Sequence, residues 1–151
     1  NKPFPILITL KWIKKLCLWN DPRIDNLIEA FWPGPLTLIL KINPDLPNHL
    51  KNQTGALAVR YSSSTIVQRL IELGECPLIG TSANKTSSPA CISAEEVRCQ
   101  LKDDIDIIID GYSGSEKSSS TIVHCITEPF RIIRKGPISL KELNLICRVK
   151  K

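Results

Sequence analysis

Two arginines and two hydroxyl-rich clusters sit where apolar runs end, which is where a sheet protein presents groups to a ligand. Arg60 closes the run Ala56 to Tyr61. Its guanidinium must therefore reach either water or an anion gripped through two parallel hydrogen bonds. Thr81-Ser82-Ala83-Asn84 follows the short apolar run Pro77 to Gly80. Its hydroxyls and amide can hold phosphate or carboxylate oxygens, or can bond their own backbone in a turn. Ser120-Thr121 opens one later run, and Arg134 closes the next, just before Gly136. If the fold gathers these clusters at one place, they make a site for an anionic ligand. If it scatters them, they are ordinary polar groups facing solvent.

Other chemistries find no support in the residues. There is no G-x-x-x-x-G-K-[ST], G-x-G-x-x-G or G-x-S-x-G, so the common nucleotide and hydrolase signatures are missing. The six cysteines, Cys17, Cys76, Cys91, Cys99, Cys125 and Cys147, contain no C-x-x-C. His49 and His124 stand far from any cysteine pair, so no metal ligand is assigned. The cysteines read as buried, reduced thiols of a cytoplasmic protein. The net charge is +5, part of it late in the chain at Arg131, Arg134, Lys135, Lys141, Arg148, Lys150 and Lys151. A solvated tail is the simpler account, with a nucleic-acid patch as the alternative.

The elements that must position these groups alternate between strand and helix. Pro5 to Leu10 reads as a strand, followed by an amphipathic segment carrying Trp12, Ile13, Leu16 and Cys17. Asp21-Pro22 starts a helix with an apolar face of Ile24, Leu27, Ile28 and Phe31, stopped by Pro33-Gly34-Pro35. Leu36 to Ile42 and Ala56 to Tyr61 are strands, with the polar loop 43–55 between them. Ser62 to Ser64 offers a cap for a helix through Ile66, Val67, Leu70 and Ile71 that Gly74 closes. Pro77 to Gly80 is expected as a buried strand, Ser93 and Glu96 as a capping box for a helix to Leu101, and Asp104 to Asp110 as a strand. After the Gly/Ser-rich 111–119, Thr121 to Ile126 and Phe130 to Arg134 are strands, and Ser139 with Glu142 forms a second capping box. Interleaved strands and helices predict an α/β (α+β) architecture. The short link 127–129 requires antiparallel pairing, so a twisted, mixed parallel/antiparallel sheet flanked by helices is expected. A chain of 151 residues suits one domain over 1–151.

Five motifs in order carry a resemblance. Trp32-Pro33-Gly34-Pro35-Leu36-Thr37, Ala58-Val59-Arg60, Ser82-Ala83-Asn84, Ser120-Thr121-Ile122-Val123 and Arg134-Lys135-Gly136 resemble the W-P-G-P-[LV]-T, V-R, S-A-N, S-T-[IV]-[IV] and R-x-G motifs of the YrdC/TsaC family. The resemblance runs from Pro3 to about Leu143 and implies a threonylcarbamoyl-AMP synthase. Such an enzyme makes L-threonylcarbamoyladenylate and pyrophosphate from L-threonine, bicarbonate and ATP, with Mg2+. Its product serves N6-threonylcarbamoyladenosine modification at position 37 of tRNA, through downstream threonylcarbamoyl-transferase proteins. Carried over by position, Ser82 and Asn84 are catalytic and contact ATP, as does Arg134, while Arg60, Gly80 and Ser120 hold threonine. A cytoplasmic location without a membrane anchor goes with this reading. The alternative is a non-catalytic YrdC-like module that binds double-stranded RNA or tRNA.

Two departures from the family pattern stand out. The P-T-[DE]-T-x-Y-G-L strand and the K-x-R motif belong upstream of Lys2 and are absent from this chain. The chain also contains no Met, and Asn1 is too bulky for ordinary removal of a preceding one. A fragment is therefore expected, inactive as it stands, with a bare sheet edge near Ile6 and Ile8. Beyond Asn84 the usual S-G is replaced by Thr86-Ser87, and Ala90 stands where relatives often carry a serine.

Overall fold

Strands β1 (Ile6–Ile8), β2 (Cys17–Leu18), β3 (Leu36–Ile42), β4 (Ala56–Tyr61), β5 (Leu78–Ile79), β6 (Thr121–His124), β7 (Phe130–Arg134) and β8 (Val149–Lys150) pair into one mixed sheet. This is a computed structural model, and it describes residues 4–46, 54–110 and 119–150. The order is β5-β1-β4-β3-β6-β7-β8, with β2 against β3. β1 runs parallel to β4, and β3 parallel to β6, while β3 with β4 and β6 with β7 are antiparallel. Helices α1 (Leu10–Leu16), α2 (Pro22–Phe31), α3 (Thr65–Leu73), α4 (Ala94–Leu101) and α5 (Leu140–Ile146) complete the described regular structure, apart from a 3-10 turn at Lys102–Asp104.

The expected caps account for where the helices begin. Asp21 accepts from the Arg23 N–H with Pro22 at the first turn, and Ser64 accepts from the Val67 N–H. Ser139 and Glu142 form the full capping box. At α4 the Ser93 side chain caps Glu96, but the Glu96 carboxylate accepts from the Ile92 N–H, one residue earlier than a capping box requires.

The residues divide into two compact units, 1–80 with 119–151, and 81–118. In the larger unit, side chains alternate across the sheet and give its two faces different characters. One face presents Leu36, Leu38 and Leu40 of β3, Val59, Val123 and Phe130. These join Ile13, Ile24, Leu27 and Leu143 of α1, α2 and α5 in the main core. The other face carries a small cluster of Ile39, Ala58 and Ile122. It leaves the ends of four adjacent strands to polar residues.

Five expectations are corrected. Residues 104–110 form no strand, and Ile107 is 80% exposed, because the smaller unit holds no described strand to complete a ladder. β5 is not buried but an edge strand, with Ile79 71% exposed. It pairs with Ile6 and Leu7 of β1, and Ile8 is fully buried in the main core, so the bare edge does not fall at Ile6 and Ile8. Cys76 and Cys99 are exposed, while Cys17, Cys91, Cys125 and Cys147 are the buried thiols. The helix expected to include Cys17 ends at Leu16, and Cys17 begins β2.

Candidate functional site

The strand ends bring Arg60, Ser120 and Arg134 together in the larger unit. Leu38 pairs with Val59, so one step further along the same register Thr37 stands beside Arg60, on the face away from the main core. The parallel pairing of β3 with β6 sets Thr37 level with Ile122 and brings Ser120 to the same sheet end. Arg134 arrives there through a slip of one residue. Ile122 pairs with Arg134 but Val123 pairs with Ile132, leaving Ile133 as an extra residue in β7. Without that extra residue, strict alternation from Ile132 would turn Arg134 toward the helix-covered side.

Contacts then lock the cluster. The Arg134 Nε–H donates to the Ser120 carbonyl at 3.0 Å, and its Nη2 to Ser120 Oγ at 3.0 Å. Ser120 Oγ and Thr37 Oγ1 lie 2.7 Å apart, both buried. Next door, Thr121 Oγ1 donates to the Ile138 carbonyl at 2.9 Å and accepts from the Ile138 N–H at 3.0 Å. Gly136 permits this approach, since a Cβ there would lie 2.3 Å from the Thr121 nitrogen. The Arg60 Nε–H donates to the Gly34 carbonyl at 2.9 Å. Gly34 is itself required, because a Cβ would meet the Phe31 carbonyl oxygen at 2.4 Å. Thus Trp32 to Thr37 does more than turn the chain: its backbone orients Arg60 and its threonine reaches Ser120.

Electrostatically the cluster is short of negative charge. Burial, and then the nearby charge of Arg134, push the Arg60 guanidinium below its ordinary value; burial does the same to Arg134. Neither forms an ion pair with a carboxylate among the described residues. Two partly desolvated cations without a counter-charge favour an incoming carboxylate or phosphate, which would repay their lost hydration. Gly80 stands on the same face across β1. Its N–H donates to the Pro5 carbonyl at 2.8 Å, and a Cβ there would press on the Leu7 side chain. With its N–H donated to Pro5, Gly80 contributes room and a carbonyl.

Ser82 and Asn84 belong to the smaller unit. Ser82 is exposed. The Asn84 side-chain NH2 is committed to its own loop, donating to the carbonyls of Lys85 at 2.9 Å and Ser88 at 3.0 Å. Asn84 Oδ1 is buried without a hydrogen-bond partner among the described residues. What Asn84 offers is therefore an acceptor, suited to an N–H, an O–H or a cation rather than to a phosphate oxygen. Lys85 N–H to Gln100 Oε1 at 2.6 Å and Cys91 N–H to the Ala83 carbonyl at 3.0 Å brace the same loop. A shallow cleft of ≈ 180 Å³ near Trp19, Arg23 and Glu128 sits at the opposite end of the sheet, and the arginine cluster does not line it.

Residues 1–136 match the model of the Sua5/YciO/YrdC family, described as telomere recombination. The chain belongs to this family. A threonylcarbamoyl-AMP synthase of Vibrio cholerae is 36% identical over 109 residues, covering 72% of this chain and 57% of that protein. The crystal structure of Pyrococcus abyssi Sua5 complexed with L-threonine superposes with a TM-score of 0.87 at 29% identity, over 97% of this chain and 44% of that one. Escherichia coli YciO shares the fold, with a TM-score of 0.78 at 23% identity. The chain thus spans little more than half of the Vibrio protein and less than half of the solved Sua5 chain. The mixed sheet flanked by helices is the family fold. Two residues of the site escaped sequence reasoning, Thr37 and Gly136. Thr37 lies inside the quoted motif, but only β3–β6 pairing reveals what its hydroxyl meets.

Proposed function

We propose that the complete protein is a threonylcarbamoyl-AMP synthase, using L-threonine, bicarbonate and ATP. The observation that carries this reading is the Arg60–Ser120–Arg134 cluster: two partly desolvated guanidiniums around a buried hydroxyl, with no carboxylate partner among the described residues. A free amino acid brings the missing carboxylate. In support, the superposable Sua5 structure is a complex with L-threonine.

In this mechanism Arg60 holds the threonine carboxylate and Ser120 hydrogen-bonds the same substrate, while Gly80 leaves space for it. Bicarbonate loses water to give CO2, the threonine amine adds to it and gives up a proton to form a carbamate, and the carbamate oxygen attacks the α-phosphorus of ATP as the bond to the β-phosphate breaks and pyrophosphate leaves. Arg134 faces the nucleotide and offsets the growing charge. Ser82 supplies a hydroxyl to ATP, and Asn84 a rigidly held acceptor for a donor on the nucleotide or for a cation beside it. No activated nucleophile is needed, since positioning and charge neutralisation carry such a step. Among the described residues no group of His, Cys, Asp or Glu is assembled to hold a metal. Mg2+ therefore fits this chain only as a companion of the ATP phosphates, where it would neutralise their charge. The product would feed tRNA modification in the cytoplasm.

The test is to change Ser82 and Asn84 together to Ala in the complete protein and follow pyrophosphate release with all three substrates. Release should be abolished while the double variant retains its fold. Undiminished release would sink the assignment, and a wild-type protein that binds tRNA without forming the adenylate would establish the RNA-binding alternative.

A further inference from the structure

We propose that Thr37 is a positioning residue: its hydroxyl donates to Ser120 Oγ and thereby turns the Ser120 proton toward the bound ligand. The basis is a count of protons and lone pairs. Thr37 is fully buried, so its O–H has no access to water. Among the described residues its hydroxyl has one hydrogen-bond partner, Ser120 Oγ at 2.7 Å. A buried hydroxyl proton without an acceptor is costly, so Thr37 is the donor in that pair. Ser120 Oγ also accepts from Arg134 Nη2 at 3.0 Å, which occupies its second lone pair. Both lone pairs are now taken. Ser120 is itself only 3% exposed, and its own proton has no protein acceptor among the described residues.

The remaining direction is into the space beside Arg60 and Arg134, where an anionic oxygen would accept it. Were the Thr37–Ser120 bond reversed, Ser120 would show a lone pair to the anion and repel it. Thr37 is thus the residue that makes Ser120 a donor. It acts at second hand, with no contact to the ligand. The hydrogen-bond count stands on the structure alone, and identifying the ligand as threonine rests on the function proposed above.

The experiment compares Thr37→Val, Thr37→Ser, Ser120→Ala and the double variant Thr37→Val/Ser120→Ala in the complete protein. Thr37→Val, similar in shape and unable to donate, should raise KM for L-threonine about tenfold and leave KM for ATP within about twofold. Thr37→Ser should restore the wild-type value, which also guards against a valine variant that fails to fold. In the Ser120→Ala background, Thr37→Val should add nothing, because its effect passes through the absent hydroxyl.

Equal losses for threonine and ATP, a serine variant as impaired as the valine one, or multiplying effects in the double variant would each overturn the proposal. If the wild-type protein does not use threonine, the proposed function falls, and the same variants are read by calorimetric binding of inorganic phosphate. There too Thr37→Val must weaken binding about tenfold, and only when Ser120 is present. Binding of neither probe would overturn the proposal as well.

Discussion

Replacing Gly136 with Ala should unravel the corner that holds Ser120, and the structure sets the size of the loss. The new Cβ would lie 2.3 Å from the Thr121 nitrogen, 2.4 Å from the Ser119 carbonyl oxygen and 2.5 Å from the Ser120 carbonyl carbon. All three are backbone atoms of one segment, so no side-chain rotation relieves them. The segment must retreat by roughly 1 Å to reach ordinary contact. Such a move stretches the Thr121 N–H bond to the Pro35 carbonyl at 2.9 Å, and the reciprocal pair between Thr121 Oγ1 and Ile138. Losing two or three such bonds costs about 1 kcal/mol each, and leaving the buried Thr121 hydroxyl unpaired costs about 1 to 3 more. The stiffer unfolded chain returns roughly 0.5 kcal/mol. A net loss of about 3 kcal/mol is expected.

Urea unfolding measures it. The midpoint should fall by roughly 1 to 3 M at unchanged slope, given typical slopes of about 1 to 3 kcal/mol per M. A control is available at Gly55, which adopts φ +62° with nothing within 4 Å of its would-be Cβ. There Ala should cost only the left-handed conformation, about 1 to 2 kcal/mol. A Gly136→Ala loss under about 0.5 kcal/mol would refute the steric argument.

Under the proposed function, Arg60→Lys in the complete protein should cost about 1.5 to 3 kcal/mol in use of threonine, because a point charge replaces the planar fork, with use of ATP nearly unchanged; equal losses for both would make Arg60 structural. Arg23 bonds Asp21 and Glu128 and holds both carboxyls below their usual values, mainly through those hydrogen bonds. Lowered folded values mean that this stability is present above the unfolded pKa and is lost as pH falls, so it should fade below about pH 4. Arg23→Met should flatten that acid limb, and an unchanged limb would show that the pair is inert. Thiol titration at pH 8 should label Cys76 and Cys99 quickly. Cys17, pushed up to about 12 by burial, and Cys125, also raised by burial, should react only on unfolding, and early labelling of either would contradict the core described.

Local chemistry was legible wherever it needed no partner. The residues of β3, β4 and β7, the caps at Asp21, Ser64 and Ser139, and the apolar face of α2 follow from periodicity and capping, which act within a few residues. The mixed sheet followed from the short link between β6 and β7. What the sequence could not specify is who pairs with whom. The apolar run in 104–110 has strand-like residues but no neighbouring strand among the described residues of its unit, so it forms no ladder there. Leu78–Ile79, equally apolar, becomes an edge strand because β1 accepts it.

The site divides along the same line. Ser82, Asn84, Arg60, Gly80, Ser120 and Arg134 were all visible as polar or small residues at the ends of runs, and their motifs named the family. The meeting of Arg60, Ser120 and Arg134 in the larger unit was not visible. Arg134 reaches Ser120 only because one extra residue in β7 reverses which face it occupies, and Thr37 reaches Ser120 only because β3 and β6 pair in parallel at that register. Side-chain identity is written residue by residue, whereas the direction a side chain takes in a sheet depends on hydrogen bonds to strands 80 or more residues away, as the 83-residue separation of Thr37 and Ser120 illustrates.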